Sequence, residues 1–125
     1  TGGQMAPTTL LGQETTTTPE GRTAERIGWP LKVCEMIAPL NGVAFCARTS
    51  CHDSKNILKT KAAIRKAFRA QLENKGFALV EVLSNCNVGW KMTPQAAVDW
   101  VANEMTKYFP LGTFKDVFAE EKQAP

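Results

Sequence analysis

The chain has 125 residues, 43% hydrophobic and 22% charged, one domain's worth of an ordinary globular composition. No run approaches the roughly 20 consecutive apolar residues of a membrane-spanning helix, and a net charge of +3 with a pI of 8.7 falls below the pI of about 9 expected of a dedicated nucleic-acid-binding domain. The expectation is therefore no membrane and no nucleic acid, and the four cysteines, Cys34, Cys46, Cys51 and Cys86, are too sparse for a secreted disulfide scaffold and read as cytosolic thiols of a cytoplasmic protein.

Thr1-Gly2-Gly3-Gln4-Met5 lacks an initiator and enters directly into a Gly-rich stretch, so the chain is expected to be a fragment. Residues 1–29 hold Gly2, Gly3, Gly12, Gly21, Gly28, Pro7, Pro19 and the run Thr15 to Thr18, with neither a helical nor a strand period. They read as an extended loop or arm, a length explained by function, disorder or docking on a partner.

Pro30 can open a short helix with Val33, Met36 and Ile37 on one side, stopped by Pro39 and the Asn41-Gly42 turn. Val43 to Ala47 then reads as a buried strand. Asp53 or Ser54 caps a long helix whose apolar positions Ile57, Ile64, Phe68 and Leu72, with Ala67, form one stripe, ending at Lys75-Gly76. The same helix is basic, with Lys55, Lys59, Lys61, Arg65, Lys66, Arg69 and Lys75, a face that is either simply solvated or steers an acidic protein partner.

Phe77 to Leu83 is a second apolar strand, so strand, long helix and strand make a parallel βαβ unit. The class is α/β, part of a doubly wound, mainly parallel sheet, with an α/β unit over residues 30–110 and extended arms at 1–29 and 111–125. Thr93 as N-cap and Pro94 at the first helical position begin a last helix that ends near Tyr108-Phe109-Pro110. Two strands are few for a core, and neighbouring strands are expected outside this chain.

Ser84 to Lys91 leaves the carboxyl end of the second strand, where open α/β sheets place ligands. Cys86 lies there in Ser84-Asn85-Cys86-Asn87, among small polar groups that suit a metal ligand or redox thiol better than an inert one. Cys34 and Cys46 instead fall on apolar faces as small core residues. Cys51-His52 is discounted as a nucleophile and base, because neighbours on extended chain point apart. Thr1 to Gln4 either offers open backbone N–H groups to a phosphate or cofactor ring or is a plain loop.

Together these stretches resemble one family, the thiamine-diphosphate-binding beta subunit of 2-oxoacid:ferredoxin oxidoreductases. Thr1 to Thr9 resembles its T-G-G-Q-x-[SA]-P-T-T, and Thr15 to Arg22 its T-T-T-x-P-x-G-R. Val43 to Arg48 is similar to G-V-A-Y-V-A-R, and Glu81 to Cys86 to E-V-L-S-P-C. Trp90, Met92-Thr93-Pro94 and Tyr108 to Gly112 resemble its closing segments.

The resemblance implies a single domain, residues 1–125, that is the C-terminal part of a larger subunit with the thiamine-diphosphate-binding fold. The implied enzyme oxidatively decarboxylates a 2-oxoacid to an acyl-CoA and passes electrons through iron–sulfur clusters to ferredoxin. It would use thiamine diphosphate, Mg2+ and a 4Fe–4S cluster, most of whose ligands lie outside this chain. Thr1 and Gly2 would edge the thiamine site and Cys86 would be the fourth cluster ligand, with no catalytic residue assigned; the family's magnesium and diphosphate ligands lie upstream of the T-G-G-Q sequence, so the fragment is expected to be inactive alone.

Implied partners are the alpha subunit, gamma and delta subunits where the complex has them, ferredoxin, CoA and a 2-oxoacid. Asn85 and Asn87 stand where the family often has proline, and Gly2 where some members have lysine, so the substrate stays open, with 2-oxoglutarate or a branched-chain acid favoured. The alternatives are a non-catalytic module for subunit assembly or redox-partner docking, and a stand-alone flavodoxin-like domain.

Overall fold

The computed structural model describes residues 5–123. Strand β1 (Val43–Ser50) is the middle of a three-stranded sheet, flanked by β2 (Phe77–Leu83) and β3 (Gly112–Asp116). β1 and β2 run parallel, pairing Cys46 with Leu79, Arg48 with Glu81 and Ser50 with Leu83. The expected βαβ unit is therefore present, and the fold is α/β.

β3 corrects two expectations. It runs antiparallel to β1 with a register break between Cys46 and Ala47, so the sheet is mixed. Residues 111–125 are also no mere arm, since they hold β3 and a helix over Val117–Gln123. The physical reason is that Gly-Thr-Phe-Lys-Asp, mostly polar around the single apolar Phe114, lies at a sheet edge, where a parallel core strand's unbroken apolar run is not needed.

Before β1, a turn of helix α1 (Ala24–Ile27) is capped by Thr23, and α2 (Val33–Ile37) begins three residues after Pro30 rather than at it. Helix α3 (Ser54–Leu72) crosses from β1 to β2. Its cap is Asp53, whose Oδ1 accepts from the Asn56 N–H at 2.7 Å, a bond that holds this carboxyl below its ordinary range. The return into β2 needs Gly76: its φ is +129° and a Cβ there would stand 2.3 Å from the Gly42 carbonyl oxygen.

The apolar stripe of α3 is not what packs on the sheet. Thr60 and Ala70 are buried and Asn56, Ala63 and Ala67 half-buried, while Ile57, Ile64, Phe68 and Leu72 are exposed. Small side chains let the helix lie close to the strands, and the larger apolar groups fall on its flank.

After β2, Thr93 accepts from the Ala96 N–H and opens α4 (Pro94–Trp100). A π-helical turn over Val101–Met105 joins it to α5 (Thr106–Tyr108). Val101, Met105 and Phe109 bury against Leu83, with Leu10 and Trp90 alongside, forming the main apolar cluster. On the same sheet face, Cys34 from α2 packs on Val43 and Cys46, while on the α3 side Ala44 meets Ala70 and Phe118. Among the described residues, no helix is long and apolar enough to cross a membrane.

Candidate functional site

The N-terminal loop has few regular elements but many polar ties. Arg22 is buried, and its guanidinium donates to four backbone carbonyls: Gly28 (2.9 Å), Pro7 (3.2 Å), Thr9 (2.9 Å) and Trp29 (2.8 Å). Gly12 and Gly21 approach so closely that a Cβ at Gly21 would lie 3.0 Å from the Gly12 oxygen. The threonine run is a folded turn. Thr15 Oγ1 accepts from the Thr18 N–H at 3.1 Å and lies 2.7 Å from Thr18 Oγ1, which donates to the Gln13 carbonyl.

This turn docks on the loop that leaves β2. The Thr16 N–H donates to the Gly89 carbonyl at 2.8 Å, and its hydroxyl reaches the same oxygen at 3.3 Å. The β2 loop closes on itself through Trp90 N–H to the Cys86 carbonyl and Met92 N–H to that of Asn87, both 2.9 Å. Cys86 is exposed, and a Cβ on Gly89 would come within 2.8 Å of its Sγ, so this glycine leaves the space the thiol occupies. Between the two loops lies a cleft of about 620 Å3, lined by Thr8, Thr16, Glu81, Ser84, Cys86 and Met105 among others.

Arg48 fixes the wall beneath this cleft. Its side chain is fully buried, with Nη1 and Nη2 on the Glu35 carboxylate at 2.9 and 2.5 Å and Nε on Glu81 Oε2 at 2.6 Å. It lies over the rings of Phe109 and Phe114, and Nη1 also reaches the Pro110 carbonyl. One cation thus joins α2, β1, β2 and the approach to β3. Its hydrogen bonds hold the Glu35 carboxyl below its ordinary range.

Cys34 donates to Glu81 Oε2 at 3.3 Å, and burial pushes its pKa far up; burial raises that of Cys46 as well. Both are protonated core thiols, in line with their apolar positions. Cys51 is exposed, and His52 turns instead to Ser50, Oγ to Nδ1 2.7 Å, and to Asp53, Nε2 to Oδ2 3.1 Å. The order serine, histidine, aspartate is that of a hydrolytic triad, but Ser50 is wholly buried and has no route to substrate. The group ties the strand end to the helix cap.

Of the residues singled out from the sequence, Cys86 lies in the cleft, while Thr1 and Gly2 fall outside the described residues. No group of three or more metal-ligating side chains occurs among the described residues. Sequence reasoning missed Arg22 and Arg48 as organisers, although an arginine ending the apolar run Val43 to Ala47 was a signal that a buried countercharge would be needed.

The chain is 42% identical over 120 residues, 96% of its length, to ketoisovalerate oxidoreductase subunit VorA of Methanothermobacter thermautotrophicus, and equally to that of Methanothermobacter marburgensis. It is 36% identical over 87 residues, 69% of its length, to 2-oxoglutarate synthase subunit KorB of Methanocaldococcus jannaschii. It spans about a quarter of the length of these relatives, 25% of the first two and 27% of the third. No family model matches, and no solved structure matches.

Proposed function

We propose that the chain is the C-terminal part of the thiamine-diphosphate-binding subunit of a 2-oxoacid:ferredoxin oxidoreductase, a cytoplasmic enzyme that oxidatively decarboxylates a 2-oxoacid to an acyl-CoA. The observation that carries this reading is the cleft itself. It sets Cys86 at the carboxyl end of a parallel strand against the threonine loop that follows Thr1 and Gly2. The likeness to the two kinds of subunit supports the reaction class, and 2-oxoisovalerate and 2-oxoglutarate are the substrates to try. The subunit letters of these relatives differ, so the beta designation is part of the proposal.

The donor present fits one ligand position of a 4Fe–4S cluster: an exposed thiol, with Gly89 leaving it room and no carboxylate or amine of its own loop engaging it. Cys86 would hold one iron as thiolate, the other ligands lying outside this chain. When bound, the cluster supplies one-electron transfer toward ferredoxin. Thr1 and Gly2 would edge the thiamine diphosphate and Mg2+ site. The remaining residues here position: Arg22 orders the loop after Gly2, and Arg48 holds the strand from which Cys86 leaves.

Other subunits of the complex and ferredoxin are the proposed protein partners, with the outward basic side of α3, from Lys55 to Arg69, favouring an acidic one. The test is a dye-reduction assay on the intact complex with 2-oxoisovalerate and 2-oxoglutarate. Reduction that requires CoA and thiamine diphosphate is expected with at least one acid; none with any 2-oxoacid would leave the assembly-module reading in its place.

A further inference from the structure

Hydroxyl groups line both walls of the cleft that contains Cys86. Thr8, Thr15, Thr16 and Thr17 come from the N-terminal loop, and Ser84 from the loop that leaves β2. Among the described residues around the cleft only Glu81 carries a charge, and its carboxylate is turned to Arg48 and Cys34. The polarity beside the thiol therefore comes from neutral groups.

The threonine turn commits all but one of its hydroxyl protons. Each threonine has a single O–H to donate. Thr18 donates its proton to the Gln13 carbonyl, so in the 2.7 Å contact between Thr15 and Thr18 the donor is Thr15. The Thr15 oxygen accepts from the Thr17 and Thr18 N–H groups at 3.3 and 3.1 Å, which occupies its two lone pairs. Thr16 directs its hydroxyl to the Gly89 carbonyl. Thr17 is exposed, and the oxygen 3.3 Å from its own is already filled, so its O–H is free to turn into the cleft. Ser84 is exposed as well, two residues before Cys86, and its hydroxyl has no partner among the described residues.

We infer that Thr17 and Ser84, one from each wall, donate hydrogen bonds to the sulfurs of the cluster and raise its reduction potential, an inference that rests on the reading of Cys86 as a cluster ligand. One-electron reduction takes an electron derived from the 2-oxoacid, which later leaves toward ferredoxin, and it makes or breaks no bond to the protein. It adds negative charge to the cluster, so a hydroxyl donating to sulfur stabilises the reduced form more than the oxidised one. Hydrogen bonds to the sulfurs are among the factors that set these potentials. With no cation lining the cleft among the described residues, neutral donors are what can favour the reduced state there.

The test is a redox titration, followed by electron paramagnetic resonance, of the intact complex carrying Thr17→Val, Ser84→Ala or both. Each change removes a hydroxyl at an exposed position with little change of shape. The signal that Cys86→Ala abolishes identifies the cluster concerned. Its midpoint is expected to move to more negative potential in both single variants and furthest in the double one, at unchanged iron content. Thr17→Ser, which keeps the hydroxyl, and Thr113→Val on β3 should leave it in place. An unmoved midpoint in the double variant would overturn the inference and leave the ligand role of Cys86 intact. A shift in Thr17→Ser equal to that in Thr17→Val would do the same. A Cys86→Ala complex that keeps every cluster signal would overturn both.

Discussion

Arg48 on β1 and Glu81 on β2 are register partners in the parallel ladder, and Nε of one lies 2.6 Å from Oε2 of the other, the guanidinium fully buried and the carboxylate 14% exposed. Glu35 completes the pairing from α2. Removing the arginine would strand two carboxylates, one of them on a strand edge. Arg48→Met is expected to cost about 3–5 kcal/mol, the range for breaking a buried pair, and Arg48→Lys to recover part, lacking the bidentate fork. Denaturant unfolding of the complete polypeptide reads the difference; a loss under about 1 kcal/mol would contradict the role.

The same cluster gives an acid dependence. The Glu35 carboxyl is held below its ordinary value of 4.5 by Arg48, so its contribution is fully present above that value and is lost as pH falls through the lower folded one. Stability measured from pH 6 downward should therefore decline below about pH 4.5, and Glu35→Gln should flatten that decline. A decline of unchanged steepness in the variant would assign it to other groups.

Arg22 gathers four carbonyls that no other described side chain serves. Leaving a buried acceptor unmatched costs about 1–3 kcal/mol. Arg22→Ala is thus expected to loosen residues 7–29 and to speed proteolysis within them, while cleavage in α3 stays unchanged. Arg22→Lys should resemble Arg22→Ala, since a single ammonium cannot reach carbonyls spread around a planar fork.

The thiols should separate by burial. In cluster-free protein, alkylation under native conditions is expected at Cys51 and Cys86, and at Cys34 and Cys46 only after unfolding. Mass mapping of the modified peptides checks this. Gly89→Ala should change the rate at Cys86, because the new methyl enters the space of its Sγ, and leave Cys51 unaffected.

Much of this was legible in the chain. Pro94 behind Thr93, Asp53 before α3 and the apolar runs of β1 and β2 act locally, so their elements form where periodicity and capping place them. That Cys86 is exposed and lines the cleft was readable because polar neighbours around a thiol at a strand's carboxyl end are uncommon for a core residue. β3 was not, since five mostly polar residues become a strand only when β1 offers an edge. The α3 stripe misled for a related reason: periodicity gives the direction of apolar side chains, whereas packing of Thr60 and Ala70 on the sheet depends on smallness. Arg48 and Arg22 required knowing which distant groups would converge on them.

The central claim is that Cys86 holds iron. The direct measurement is the iron and acid-labile sulfide content of the intact complex carrying Cys86→Ala, with Cys51→Ala, the other exposed thiol, as the reference. The expected result is a loss of about one 4Fe–4S cluster's worth of iron and sulfide for the first variant and none for the second. Full iron and sulfide in Cys86→Ala would contradict the account and leave the cleft without its metal.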